Sequence, residues 1–175
     1  MKILFIVFLL SIIVSKGVTQ SNNSDSVLKI GKEAPELKLP GPNGDTIALS
    51  SLRGNIVLID FWASWCAPCV KEQPALKRLY KKYKRSKFTN AKRFEIYSVS
   101  LDSKKMEWVS AIKKMKLNWT HVSDLKYWSS AAAAIYGIGE IPFNVLIDSN
   151  GIILALDLHG SDLDKALSQV LKNIR

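Results

Sequence analysis

The two cysteines of this 175-residue chain, Cys66 and Cys69, are spaced as Cys-x-x-Cys. The β-branched, apolar run at 55–61 precedes them and predicts a buried strand, and the run at 70–83 follows with apolar residues at helical spacing. The pair therefore lies where a strand passes into a helix N-terminus, and backbone N–H groups and the helix dipole favour negative charge there. A cysteine at such a position can have its pKa lowered from about 8.5 to roughly 3.5–7.5 and react as a thiolate.

Other uses of this cysteine pair fit the sequence less well. A zinc site needs about four ligands, and the two histidines, His121 and His159, are single and far apart in the chain. A purely structural disulfide closing so short a loop would remove little chain entropy. No flavin, haem or nucleotide motif is visible. The sequence therefore favours a redox-active dithiol without a metal or another cofactor.

The stretch at 62–69, which contains both cysteines, resembles the active-site signature of the thioredoxin superfamily. The wider chain resembles the extracytoplasmic TlpA/ResA-like branch of that superfamily, close to AhpC/TSA-type thiol–disulfide oxidoreductases. The other matching segments follow in order at 31–35, 44–50, 99–102, 135–138, 141–142 and 146–151. The resemblance implies an α/β, thioredoxin-like fold, in which helices flank a central mixed β-sheet. We also expect an N-terminal β-hairpin and a helical insertion around residues 102–117, with Asp102 or Ser103 as the cap of its helix. Ser129 is the expected cap of the next helix, and Asn150-Gly151 predicts a tight hairpin turn.

The N-terminal composition predicts an exported protein. Lys2 and the apolar run at 3–14 are typical of a secretory signal peptide, which we place at 1–17. An uncleaved membrane anchor is the alternative. The polar stretch that follows predicts a flexible linker at 18–28, and 29–175 suits one thioredoxin-like domain. We expect a periplasmic or otherwise extracytoplasmic location, where disulfides persist, with membrane anchoring if the signal is uncleaved.

Four residues are candidates for the chemistry. We expect Cys66, at the helix start, to be exposed and nucleophilic, and Cys69, one turn further in, to be the buried resolving thiol. Asp60 ends the apolar strand, where a charge is costly unless used. It matches the buried acid of thioredoxins, which is implicated in proton transfer to the inner cysteine. Glu72 matches a glutamate of the TlpA/ResA branch, with an ordinary surface acid near the helix N-terminus as the alternative.

A second landmark is the pair Ile141 and Pro142. The resemblance implies that Pro142 is a cis-proline facing the cysteines and that the backbone of Ile141 pairs with substrate peptide. Phe143 follows where threonine is common in the family, so the hold on the substrate differs here. We expect the surface around Trp65 and Ile141 to determine substrate choice.

The resemblance implies a protein-disulfide reductase with a redox-active Cys66–Cys69 disulfide. It would reduce disulfide-containing envelope proteins, apocytochromes among the candidates for cytochrome c maturation, and be recharged by a membrane thiol donor. An oxidase or isomerase using the same residues, or a non-catalytic binding module, is the alternative.

The positive charge of the chain bears on which partners it could bind. The formal net charge is +10, and the stretch at 77–87 has seven basic residues. We interpret this stretch as a solvated helix face that could contact anionic membrane surfaces, with no nucleic-acid partner, and we expect a monomer.

Overall fold

The computed structural model describes residues 28–86, 88 and 90–172. The signal peptide predicted at 1–17 and nearly all of the linker predicted at 18–28 lie outside these residues. A two-stranded antiparallel hairpin comes first, with strands β1 (Lys38–Pro40) and β2 (Thr46–Ala48). The central sheet follows, with strands β3 (Ile56–Trp62), β4 (Phe94–Ser100), β5 (Thr120–Val122), β6 (Phe143–Ile147) and β7 (Ile153–Leu156). The helices are α1 (Ala67–Tyr83), α2 (Lys105–Met115), α3 (Ala131–Tyr136) and α4 (Gly160–Lys172).

The central sheet is mixed, with strand order β5-β4-β3-β6-β7. Strand β3 pairs in parallel with β4 and antiparallel with β6, so it lies in the middle. All seven of its residues are buried, because elements cover both faces of the sheet. The expected mixed sheet, N-terminal hairpin and helical insertion are therefore all confirmed.

Side chains of β3 alternate between two hydrophobic cores. Val57, Ile59 and Phe61 pack with residues of the hairpin and α3. Ile56 and Leu58 pack with buried residues of α1 and α4 on the opposite face. By this alternation Asp60 points to the α1 side of the sheet. The helix that carries the cysteines therefore covers the strand that carries the buried acid.

Two expected helix caps are wrong. We expected Asp102 or Ser103 to begin the helix of the insertion, but the N-cap of α2 is Lys104. The carboxylate of Asp102 instead accepts hydrogen bonds from Ser64, in the loop before Cys66, and from Ser100 at the end of β4. We expected Ser129 to cap α3, but the cap is Ser130, whose side chain accepts a hydrogen bond from the backbone N–H of Ala133. Within the described residues, no helix is long and apolar enough to cross a membrane.

Candidate active site

Cys66 and Cys69 form a disulfide at the start of α1. Cys66 is the N-cap of the helix, and its Sγ accepts a hydrogen bond from the backbone N–H of Cys69 at 3.2 Å. An N-cap acceptor normally satisfies one of the free N–H groups of the first turn in this way. Pro68 fits the first turn because a residue there needs no N–H partner. The helix therefore begins three residues earlier than the apolar spacing predicted.

The disulfide is less accessible than the sequence suggested. Cys66 is only 5% exposed and Cys69 is 1% exposed. Both pack into a cluster with Trp62, Ala63 and other apolar residues around α2. Cys69 is the more buried of the two, as expected, but the expected exposure of Cys66 is wrong for the disulfide-bonded form. In the oxidised form little of the Cys66 side chain is accessible to an incoming group.

The loop before β6 faces the disulfide. The Ile141–Pro142 peptide bond is cis, as the resemblance implied. The carbonyl oxygen of Ile141 lies 3.7 Å from the Sγ of Cys66. Within the described residues the backbone N–H of Ile141 has no hydrogen-bond partner. A short piece of backbone beside the sulfur therefore has a free donor for an extended peptide.

Asp60 lies buried beneath α1. Its Oδ2 accepts a hydrogen bond from the hydroxyl of Ser98 at 2.9 Å. The pKa of Asp60 is raised from 3.8 to about 7, chiefly by burial. The nearby charge of Glu72 also raises it, while the hydrogen bonds from Ser98 and Gln73 and the charge of His159 oppose the rise. The carboxyl group can therefore gain or lose a proton near neutral pH.

Asp60 belongs to a polar row that crosses the sheet. Its register partners are Asn144 on β6 and Ser98 on β4, and Ser98 in turn pairs with His121 on β5. His121 is buried against Trp119 and Trp62, and burial lowers its pKa from 6.5 to about 4. His121 is therefore a neutral, packed histidine at neutral pH.

Glu72 is paired with His159, which lies between β7 and α4. His159 lies 2.9 Å from Glu72 through Nδ1 and 2.9 Å from Asp157 through Nε2. Burial alone would lower the pKa of His159, but the hydrogen bonds to the two carboxylates outweigh it, so the pKa lies above its ordinary value. The Glu72 side chain is 15% exposed and held in this pair, and its part in the chemistry stays a prediction.

Asn144 holds the segment that carries His159. Its side-chain amide donates to the backbone carbonyl of Leu158 at 2.7 Å, and its Oδ1 accepts from the N–H of Leu158 at 3.0 Å. The backbone carbonyl of Asn144 also accepts from the N–H of Asp157. The residue paired with Asp60 in the sheet thus fixes the position of the histidine that pairs with Glu72.

Sequence reasoning missed the role of Asp102. This fully buried carboxylate accepts hydrogen bonds from the backbone N–H of Ser64 at 3.0 Å and from the hydroxyls of Ser64 and Ser100. It therefore fastens the loop just before Cys66. A signal was available, because Asp102 follows the buried strand β4 and parallel strands end at the same edge of a sheet. Asp60, by contrast, lies within β3 (Ile56–Trp62) and not at the end of the strand, where the sequence had predicted it.

Trp65 directly precedes Cys66 in the chain, and its side chain is 42% exposed. Its ring contacts that of Tyr127, with 5.0 Å between the ring centroids. Within the described residues, no group of three or more His, Cys, Asp or Glu side chains is placed to hold a metal ion. The arrangement around the cysteines is that of a dithiol site with a buried acid.

A cysteine pair at a helix N-terminus, facing a cis-proline on a mixed sheet, defines the thioredoxin-like class of proteins. Residues 30–156 match the model of the AhpC/TSA family. The chain belongs to this family, in its TlpA/ResA-like branch.

Relatives of known name agree with this placement. The thiol-disulfide oxidoreductase ResA of Bacillus thuringiensis (strain Al Hakam) is 31% identical over 147 residues, which cover 84% of this chain and 79% of that protein. A solved thiol-disulfide oxidoreductase from Bacteroides fragilis is 38% identical, with a TM-score of 0.73, and covers 80% of this chain and 100% of its own. The thioredoxin domain of a thiol-disulfide oxidoreductase from Bacteroides vulgatus is 31% identical, with a TM-score of 0.73, and the match covers 83% of this chain and 99% of that one. The protein is a thiol–disulfide oxidoreductase.

Proposed function

We propose that this protein is an exported reductase of disulfides in envelope proteins, with Cys66 as the nucleophile and Cys69 as the resolving thiol. The observation that carries the proposal is the placement of the Cys66–Cys69 disulfide at the N-terminus of α1, against the carbonyl group of Ile141. Of the two sulfurs, that of Cys66 lies beside the free backbone edge, where a substrate peptide can pair. Pro142 shapes this edge, and Trp65 borders it.

The reaction proceeds by two thiol–disulfide exchanges. The thiolate of Cys66 attacks one sulfur of the substrate disulfide, forms a mixed disulfide and expels the other substrate sulfur as a thiolate. The thiolate of Cys69 then attacks the Sγ of Cys66, which re-forms the Cys66–Cys69 disulfide and expels the second substrate sulfur. Two electrons pass from the protein to the substrate, and the two protons of the protein thiols end on the substrate thiols.

Proton transfer from Cys69 is the step for which the buried acids are suited. Asp60, with its pKa raised to about 7, can accept the proton of Cys69 when that thiol must become a nucleophile. Glu72 follows Cys69 by one helical turn, and its hydrogen bond to His159 links this region to a partly exposed imidazole. We assign Asp60 the proton transfer and Glu72 the electrostatic control of Asp60.

We base the reductase direction on the resemblance to the TlpA/ResA-like branch. Strong oxidants of this chemistry owe their high potential to a stabilised reduced form. The N-terminus of α1 and the backbone N–H of Cys69 favour a thiolate at Cys66, whereas the carbonyl oxygen of Ile141 disfavours it. Because these two effects oppose each other, the reduction potential of the couple decides the direction. Re-reduction then requires a thiol donor, and for an exported protein we assign that role to a membrane protein.

The first experiment is the reduction potential of the Cys66–Cys69 couple, measured by equilibration with thiol buffers. A value near or below about −200 mV supports a reductase, and one near about −120 mV would make the protein an oxidant. A pair that fails to equilibrate reversibly would support a non-catalytic binding module instead. Export is tested on the full chain by cell fractionation and by the N-terminal sequence of the mature protein.

Trapping tests the assignment of the two cysteines. In the Cys69→Ser variant the mixed disulfide on Cys66 cannot be resolved, so substrate proteins should accumulate as adducts that reducing agents release. The matched control is Cys66→Ser, which keeps one buried cysteine and should trap few or none. Equal trapping by both variants would contradict the assignment of Cys66 as the nucleophile. The trapped proteins themselves identify the substrates and show whether they are envelope proteins.

A further inference from the structure

Three exposed aromatic side chains, Trp65, Tyr127 and Trp128, form a cluster beside the disulfide, which we call the aromatic triad. They are 42%, 45% and 39% exposed. Their ring centroids form a triangle with sides of 5.0, 6.3 and 6.2 Å. In the described part of the chain, half of the six exposed large hydrophobic side chains are in this triad. Such a concentration of exposed apolar surface marks an interaction site rather than scattered surface residues.

The backbone that carries Tyr127 and Trp128 is held in an unusual conformation. Leu125 and Tyr127 have φ values of 55° and 54°, a left-handed conformation that residues other than glycine seldom adopt. Hydrogen bonds maintain it. The carboxylate of Asp124 accepts from the backbone N–H groups of Lys126 and Ala131, and the hydroxyl of Ser123 accepts from the N–H of Leu125. The rings are therefore positioned before any partner arrives.

The position of the triad determines what can cover it. Trp65 precedes Cys66 directly in the chain, so a polypeptide whose disulfide reaches Cys66 must pass close to these rings. Leu125 and Ile141 pack against the same cluster as the cysteines, so the loop that carries Tyr127 and Trp128 and the free backbone edge of Ile141 both adjoin that cluster. The triad is thus continuous with the site where substrate reacts.

We propose that the aromatic triad binds one apolar side chain of the substrate polypeptide, two residues from the cysteine that Cys66 attacks. The inference rests on the proposed function and names the class of substrate: disulfides whose cysteine has an aromatic or aliphatic neighbour at that spacing. An extended peptide advances about 3.3 Å per residue and alternates its side chains. A side chain two residues away therefore lies about 7 Å along the peptide, on the same face as the cysteine. The three rings contact one another and form an exposed apolar surface on which one such side chain can pack, and none of the three carries a charge.

The test is the rate at which the fully reduced protein reacts with a series of peptide disulfides. Each peptide has a single cysteine and either phenylalanine, leucine, alanine or aspartate two residues before or after it, with glycine elsewhere. The reaction is stopped with acid and the products are separated by chromatography. One ring contact of this kind corresponds to about a two- to tenfold change in rate. With phenylalanine on one particular side of the cysteine, we expect the peptide to react at least about twofold faster than its alanine counterpart. The aspartate peptide should react most slowly.

Variants of the triad separate a bound side chain from other effects. In the Tyr127→Ala/Trp128→Ala variant the ratio of the phenylalanine rate to the alanine rate should fall to about one. In the Tyr127→Phe/Trp128→Phe variant, which keeps aromatic rings at both positions, most of the ratio should remain. The matched control is Ile30→Ala, which removes an exposed apolar side chain near the β7 edge of the sheet and should leave the ratio unchanged.

The outcomes distinguish this inference from the proposed function. Reaction of the wild-type protein with 2-hydroxyethyl disulfide, which has no side chain to bind, tests the dithiol chemistry alone. If that reaction occurs and the wild-type protein shows no preference among the peptides, the inference is overturned and the proposed function stands. A ratio that persists in the double alanine variant overturns it as well. If neither 2-hydroxyethyl disulfide nor any peptide reacts, the proposed function fails and the inference fails with it. Sedimentation of the wild-type protein completes the test, since a dimer lost in the double alanine variant would make a second copy of the chain the occupant.

Discussion

Replacing Asp60 with asparagine should stabilise the oxidised protein in a pH-dependent way. Asp60 is buried, and its pKa is raised from 3.8 to about 7, chiefly by burial. Ionising it in the folded state is therefore costly, whereas the unfolded chain ionises it freely. Asparagine has nearly the same shape, can still accept the hydrogen bond from Ser98, and carries no charge at any pH. The variant removes the cost of the buried carboxylate without opening a cavity.

The sign and size of this stabilisation follow from the linkage between protonation and folding. A group whose pKa is higher in the folded state contributes stability below its unfolded pKa, and this contribution is lost as pH rises through the folded pKa. For Asp60 the window runs from pH 3.8 to about 7. A rise in pKa of this size means that ionising Asp60 costs about 4 kcal/mol more free energy in the folded state than in the unfolded chain. Between pH 4.5 and pH 8 the advantage of Asp60→Asn over the wild-type protein should grow by about 3 kcal/mol.

The assay is denaturant unfolding of both oxidised proteins at pH 4.5 and pH 8. The difference between the two proteins is the quantity of interest, because other titrating groups cancel in it. The matched control is Asp45→Asn, which replaces an exposed acid in the hairpin turn. We expect it to change the unfolding free energy by less than about 0.5 kcal/mol at either pH. An advantage of Asp60→Asn that is the same at both pH values would refute the reasoning.

Three further variants test other parts of the site and core. Asp102→Ala leaves the N–H of Ser64 and two hydroxyls without their acceptor and should lower the unfolding free energy by about 3 kcal/mol or more. Asp102→Asn should lower it less. Equal stability of the wild-type protein and both variants would contradict the role of Asp102 in fastening the loop. His159 has a raised pKa, so its stabilising effect is present below about pH 6.5 and is lost as the pH rises above it. His159→Gln should therefore destabilise more at pH 5 than at pH 8.5, and the reverse order in urea unfolding would disprove the ion pair with Glu72. Leu163→Ala, in the buried face of α4, should cost about 2–5 kcal/mol in the same assay, and a smaller loss would mean that α4 packs loosely.

Local patterns were sufficient to predict most of the elements. The apolar run before the cysteines is β3, and Asn150-Gly151 lies in the turn between β6 and β7. These predictions succeed because side-chain periodicity and turn chemistry depend on neighbouring residues. The helix caps at Lys104 and Ser130 were missed because the sequence does not show which polar side chains bind groups elsewhere in the fold. Asp102 is available to cap a helix by sequence, but Ser64, 38 residues away, is already bound to it.

The sequence alone determined the chemistry of this protein, since two cysteines spaced as Cys-x-x-Cys between a strand and a helix specify a dithiol at a helix N-terminus. It also singled out Asp60, because a carboxylate in an apolar run is costly. Only the tertiary structure decided that burial raises the pKa of Asp60 to about 7, that His159 reaches Glu72 from 87 residues away, and that Tyr127 and Trp128 stand beside Trp65. These contacts join distant parts of the chain, and their geometry depends on how the helices and loops pack on the sheet, which the spacing of residues along the sequence does not encode.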